Sequence, residues 1–265
     1  MTITPLINSG VYGEKCSLMY TERISMRASD TAYASLRDDI LHWELPPGTV
    51  LAEVEQARRL SLSRTPIREA FARLAAEGLL VALPGRGLVV SELSRETIVE
   101  LFELRRVLEA EAARLAAMRR TVGVFAELRD EFSVAHLLLE DEAGLRAYYQ
   151  LVERLDTAMD AAVQSRFLVS AIRQLRPHLI RVRRLARDNP ERLRQAANEH
   201  LMIVEAIVEG DAELAASTTS IHLKRSLKNI LAVIDSPEKA PEDAAKTVIS
   251  AVPKPPTGKE NHGSA

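Results

Sequence analysis

Apolar residues recur at helical spacing along most of the chain, in two contrasting styles. Between residues 31 and 92 the periodic stretches are short and sharply punctuated. Leu36, Ile40 and Leu41 line one side of a helix predicted over 32–43, which Pro46, Pro47 and Gly48 stop. A second helix is predicted over 51–60, a turn at Ser61-Leu62-Ser63, and a third helix over 65–77. Pro66 falls in the first turn of that third helix, where a missing N–H is no loss, and Gly78 closes it. Apolar runs at 79–83 and 88–92 then flank Pro84-Gly85-Arg86-Gly87, the pattern of a small hairpin.

From Ser94 onward strand signals cease. Ser94 is placed to cap a helix starting at Arg95, whose stripe is Leu101, Leu104, Leu108, Ala112 and Leu115. Further helices are predicted over 122–139, 142–166, 168–187, 190–209 and 212–234, punctuated by Gly123, Gly144, Pro190 and Gly210-Asp211. Long helices with short connections make an antiparallel bundle. The predicted fold is therefore mainly α: a winged helix-turn-helix over 30–92, then an all-helical bundle of six or seven helices over 93–235. Residues 1–29 show no sustained period and read as a flexible arm. Residues 236–265, with Pro237, Pro241, Pro253, Pro255 and Pro256 among Lys, Glu and Ser, read as a disordered tail.

The 265 residues leave room for both domains. Aromatic residues are only 4% while Ala, Leu, Arg and Glu dominate, which favours helix over sheet. A net charge of -2 excludes a generally basic coat for nucleic acid, so any DNA-binding surface is local. The single cysteine, Cys16, excludes an intrachain disulfide and a thiolate zinc cluster. No apolar run reaches the length of a membrane span, and no basic segment precedes an apolar core at the N-terminus. A cytoplasmic protein without a membrane partner is expected.

Positive charge gathers around the third helix as Arg58, Arg59, Arg64, Arg68 and Arg73, opposed mainly by Glu69. Arg64 and Arg68, four apart, project from one face at the helix start. Arginine grips guanine edges or phosphate through paired N–H groups. The Ser63 and Thr65 hydroxyls, at the same N-terminus, suit phosphate, and Arg86 at the hairpin tip suits a minor groove. On charge alone a solvated helix face is an equal reading. The string LSRTPIREAFARLAAEGLLVALPGRGLVV (62–90), preceded by LRDDILHWELPPGTVLAE (36–53), resembles the DNA-binding domain of the GntR family. The resemblance implies that Arg64, Thr65 and Arg68 contact DNA and that Gly87 lets the wing approach the groove. Val54 stands where some members carry an arginine. Trp43 replaces a residue often small in the family and reads as packing between helices.

The stretch LFELRRVLEAEAARLAA (101–117) resembles the start of the helical effector domain of the FadR-type (FCD) subgroup. That resemblance implies a small-molecule site, often holding a metal between an aspartate and three histidines. Asp156 matches the first ligand and His200 and His222 the last two, while Asp160 stands where the remaining histidine is expected. Asp156 and Asp160 share a helix face, and two carboxylates with two imidazoles can hold one divalent Zn, Mn or Ni ion. The competing reading leaves both carboxylates in solvent and both histidines on the surface or satisfied in the core. Arg105 matches an arginine that points into the effector pocket, where it suits a small organic acid. Arg106 is the lesser candidate, and a surface ion pair with Glu109 is the plain reading of either. His178 has no match and reads as an ordinary helix residue, and Arg181, Arg183, Arg184 and Arg187 read as a solvated face.

The expected protein is a homodimeric, sequence-specific transcriptional regulator and not an enzyme. It is expected to repress from a near-palindromic double-stranded operator and to respond to a small carboxylate metabolite. Two rivals stand beside it. One is a dimeric DNA-binding protein with no effector. The other is a metal-dependent hydrolase, for which no nucleophile or extra base is evident near the candidate ligands.

Overall fold

The computed structural model describes residues 27–184 and 189–235. The tail expected at 236–265, Cys16 and most of the arm expected at 1–29 lie outside the described residues. The N-terminal domain is built from α1 (Ala28–Leu41), β1 (Val50–Leu51), α2 (Glu53–Arg59), α3 (Arg64–Ala76), β2 (Leu80–Leu83) and β3 (Gly87–Val90). Thus α1 takes in the last two residues assigned to the arm. Ile67, Ala70, Phe71 and Leu74, at helical spacing on α3, are buried against Leu36 and Ile40 of α1. Ile67, Phe71 and Leu74 each contribute about 1.5–3 kcal/mol by leaving water, and Ala70 less. The α2–α3 turn is tight: Ser61 sits at φ 54° and the Leu62 N–H returns to the Ala57 carbonyl at 3.0 Å.

The hairpin expected from the sequence is present, with Val81 opposite Val89 and Leu83 opposite Gly87. It is joined by a third strand. Val50 and Leu51 pair with Val89 and Leu88, giving the antiparallel order β1-β3-β2. The sequence pattern placed Leu51 at the start of a helix. Extended backbone wins because it buries Leu51 in the core and completes a ladder along β3, while the helix waits until Glu53. Gly87 opens β3 at φ 78°, a left-handed value that a side chain would strain.

The C-terminal domain holds α4 (Arg95–Arg119), α5 (Val122–Ser133), a 3-10 turn (Ala135–Glu140), α6 (Glu142–Val163), α7 (Arg166–Arg184), α8 (Pro190–Glu209) and α9 (Ala212–Ile234). Ser94 caps α4 as expected, its Oγ accepting the Thr97 N–H at 3.2 Å. α4 and α9 run antiparallel, with Arg95 paired to Asp235 at one end. The core gathers Ala113, Ala116 and Ala117 of α4 with Phe125 and Phe132 of α5, Tyr148 and Leu155 of α6, and Val204 and Ile207 of α8. The small α4 residues let neighbouring helices approach closely. No helix among the described residues is long and apolar enough to cross a membrane.

Trp43 fastens the two domains together. It follows α1 at φ 64°, and its side chain packs with Ile98 and Phe102 of α4, Val182 of α7 and Ile230 of α9. A non-glycine residue in that conformation costs roughly 1–2 kcal/mol, which burial of the indole offsets.

Candidate functional site

The N-terminus of α3 lies open. Ser63 is its N-cap residue but makes no side-chain capping bond, so its hydroxyl and the first N–H groups of the helix remain available to an anion. Ser63, Arg64, Thr65 and Arg68 are all exposed, as are Arg86 and Gly87 at the hairpin end. Arg64 and Arg68 converge on one carboxylate. Arg68 Nε and Nη2 donate to the two oxygens of Glu53 at 3.1 and 3.0 Å, and Arg64 Nη2 donates at 3.2 Å. The bond from Arg68 is the main cause holding the Glu53 carboxyl below its usual range. Both side chains nevertheless stay more than half exposed, at 61% and 65%. Arg59 and Arg73 are occupied within the domain, by Asp39 and Asp30 respectively. Sequence reasoning found the arginines and missed Glu53, because no local rule pairs side chains on separate helices.

Below this domain a cavity of about 580 Å³ opens among α4, α6, α7, α8 and α9. Leu41 and His42, from the end of α1, complete its wall, so both domains line it. Arg105 is buried there and donates Nε and Nη2 to the Glu109 carboxylate at 2.8 and 3.1 Å. The ion pair expected at the surface is therefore an internal one. Arg183 also lines the cavity and makes no ion pair with a described residue. Asp156 faces the same space, and burial raises its carboxyl above the ordinary range, with Arg183 acting in the opposite sense.

His200 and His222 come together as the sequence suggested, ring centroids 4.5 Å apart. His200 Nδ1 shares a hydrogen bond with the Tyr148 hydroxyl at 2.9 Å. His222 Nδ1 donates to Glu199 at 2.8 Å. Burial pushes both imidazoles down, His200 well below the ordinary value. Burial alone would raise Glu199, but hydrogen bonds from His222 and Arg192 outweigh it and hold the carboxyl at about 2. The glutamate is thus ionised, and it fixes the His222 proton on Nδ1.

Asp160 does not join Asp156 as a free carboxylate. Arg173 Nε and Arg176 Nη1 donate to one oxygen at 2.9 and 3.0 Å, and Arg176 Nη2 donates to the other at 2.9 Å. Its function is to tie α6 to α7. The expected four-ligand metal set does not fit this arrangement, and among the described residues no three His, Cys, Asp or Glu side chains are grouped to hold a metal ion. The basic run is corrected as well. Arg181 is wholly buried and donates Nη1 to Ser91 Oγ at 2.7 Å, and Arg183 faces the cavity rather than solvent. His178 is no ordinary helix residue either, since its Nε2–H donates to the Glu77 carbonyl at 2.9 Å. The apolar spacing of α7 carried the only sequence signal for these inward positions.

Comparison with known proteins accounts for both halves. Residues 28–90 match the family described as bacterial regulatory proteins, gntR family, and residues 100–225 match the FCD domain. The Nta operon transcriptional regulator of Aminobacter aminovorans is 31% identical over 73% of this chain and 96% of its own. The HTH-type transcriptional repressor RspR of Escherichia coli is 27% identical over 75% of this chain and 86% of its own. Among solved structures, Escherichia coli McbR/YncC shares the fold with a TM-score of 0.61 at 23% identity, over 78% of this chain and 97% of the other. With a gntR-type reading domain, an FCD domain and relatives matched along nearly their whole length, this chain belongs to the GntR family of bacterial transcriptional regulators.

Proposed function

We propose that this regulator is a homodimeric repressor whose hold on its operator is set by a small organic acid bound in the cavity. The observation that carries this reading is Arg183, a cavity-lining guanidinium with no ion-pair partner among the described residues. A ligand carboxylate pairs with it in a partly desolvated space, where such a bond is strong. His222 offers Nε2 as an acceptor, because its Nδ1–H is committed to Glu199. Asp156 faces the same space, its carboxyl raised above the ordinary range by burial, and adds a further oxygen acceptor. Acceptors beside a cation suit an acid that also carries hydroxyl groups. At the other end, Arg64 and Arg68 of α3 leave Glu53 for base edges or phosphate, Thr65 and Ser63 meet the backbone, and Arg86 and Gly87 lie along the adjacent groove.

Repression is the role named for the Escherichia coli relative. Dimerisation is supported by an apolar face spanning the α4–α9 pair, where Leu104, Val107, Met118, Leu214 and Ile221 are all exposed. Leu104 and Met118 are 14 residues apart on α4 and Val107 is three from Leu104, which puts the three on one side of the helix. A second copy covering this face sets two α3 helices in successive major-groove turns.

The test is a panel of hydroxy acids and simple carboxylates, scored by thermal shift and then by release of an operator selected from random duplexes. An acid that stabilises the wild-type protein and weakens operator binding supports the reading, provided Arg183→Met abolishes both responses. A panel without effect, or an unchanged response in R183M, overturns it.

A metal is the second reading of the same cavity. It is favoured by His222, whose Nδ1–H is committed to Glu199 so that Nε2 is left as a ligating nitrogen, with the His200 ring 4.5 Å away. Elemental analysis of protein purified without chelator or metal-affinity tag decides it. Stoichiometric Zn, Mn or Ni supports the metal, and its absence leaves the organic acid alone.

A further inference from the structure

α7 is engaged on two opposite sides. Arg176, Leu179, Ile180 and Arg183 face the cavity. At about 100° per residue, His178 and Arg181 lie roughly half a turn away from them, and both reach the DNA-binding domain. His178 Nε2–H donates to the carbonyl of Glu77, the C-cap residue of α3, at 2.9 Å. The next residue, Gly78, has φ 72°, and a side chain there would come to 3.4 Å from the His178 ring. The Glu77 carboxylate meanwhile accepts bonds from Tyr33 and Arg37 of α1. One residue therefore links α7, α3 and α1.

Arg181 makes the second connection. Its Nη1 and Nη2 donate to the hydroxyl and carbonyl of Ser91, the residue after β3. Its Nε has no hydrogen-bond partner among the described residues, and the side chain is wholly buried. An apolar residue would fill that space without the cost of desolvating a cation. Pro177 sits between the cavity-facing Arg176 and His178. It cannot donate to the Arg173 carbonyl, so α7 is easiest to bend at this point.

We propose that α7 reports the state of the cavity to the reading helix, with His178 and Arg181 as the positioning residues that fix α3 and β3 to it. The proposal rests on the cavity being the regulatory site, but not on the class of effector. When the cavity-facing side of α7 moves, the His178 bond displaces the C-terminal end of α3 and the Arg181 bonds displace the wing. The arginines at the far end of α3 shift with them.

A double-mutant cycle on the full-length protein tests this without any effector. Operator affinity is read by fluorescence anisotropy, with the cavity perturbed by Arg183→Met and the connection cut by His178→Leu. R183M is expected to change affinity at least about threefold in the wild-type background, and by less than half as much beside H178L. His178→Gln, whose amide N–H still donates to the Glu77 carbonyl, is expected to restore the full change. Additive effects, or a Gln variant that behaves like Leu, overturn the proposal. Should H178L fail to fold, amide hydrogen exchange over residues 74–80 in wild type and R183M takes its place. Altered exchange there supports the coupling, and an unchanged segment overturns it.

Discussion

In the free protein Arg68 presents two N–H groups to the two carboxylate oxygens of Glu53, at 3.1 and 3.0 Å. On the reading proposed above Arg68 contacts DNA, and here a carboxylate occupies it as an internal mimic of phosphate. Binding exchanges that carboxylate for the duplex and brings Glu53 close to a polyanion. Glu53→Gln is expected to tighten operator binding about threefold or more, with the largest gain at low salt. Anisotropy titrations at matched ionic strength check it. Weaker binding would show that Glu53 instead holds the guanidinium groups in the reading posture.

Arg64→Ala and Arg68→Ala are expected to weaken operator binding at least about fivefold each, in line with roughly 1–3 kcal/mol for a base-reading arginine. Because both side chains are largely exposed, thermal stability and far-UV circular dichroism should stay as in wild type. Footprints indistinguishable from wild type in both variants would dismiss α3 as the reader.

Trp43 is the only tryptophan, so its fluorescence reports the domain junction directly. Buried among Ile98, Phe102, Val182 and Ile230, it should emit at short wavelength and shift to the red when the domains part. Trp43→Ala is expected to cost about 3–5 kcal/mol and to split thermal unfolding into two steps. A single transition of unchanged midpoint by calorimetry would count against Trp43 as the fastening residue.

The His178 imidazole is held below its ordinary value of 6.5, first by burial, with the Glu77 carbonyl bond opposing and Arg181 adding to the fall. An imidazole with a lower pKa when folded binds protons preferentially when unfolded. Its contribution to stability is therefore greatest at pH above the unfolded value, and it declines as pH falls from there toward the folded one. Wild type is expected to lose more stability than H178Q between about pH 7 and pH 5, measured by chemical denaturation at each pH. Parallel curves for the two proteins would contradict this.

Val107, exposed over 64% of its surface, lies near the middle of the apolar α4–α9 face. Val107→Asp, alone or with Ile221→Asp, is expected to yield a folded monomer by light scattering and to weaken binding to a two-half-site operator much more than to a single half-site. A dimer of undiminished stability in the double variant would place the interface elsewhere.

Much of this molecule is legible in the order of its amino acids. The α3 boundaries follow from Pro66 and Gly78, the α4 start from Ser94, and the wing from Pro84-Gly85-Arg86-Gly87, each through chemistry acting over a few residues. The β1 strand is not legible, because two residues carry no period and their extension is decided by a partner strand. Asp160 illustrates the same limit at the cavity. Its position on the face of Asp156 is readable from spacing, yet its two arginine partners belong to another helix.

The sequence by itself determined most of the helices, the turn before α3 and the arginines at its start, since periodicity, capping and turn chemistry are local properties of the chain, while the resemblance to the FCD subgroup singled out His200 and His222. Only the tertiary structure decided what each charge does. Arg59 is spent on Asp39, 20 residues away, Arg181 on Ser91, 90 residues away, and Arg183 is left facing a cavity that the two domains share. The worth of a charge depends on the partners and the dielectric around it, and both are set by segments that meet only when the chain is folded.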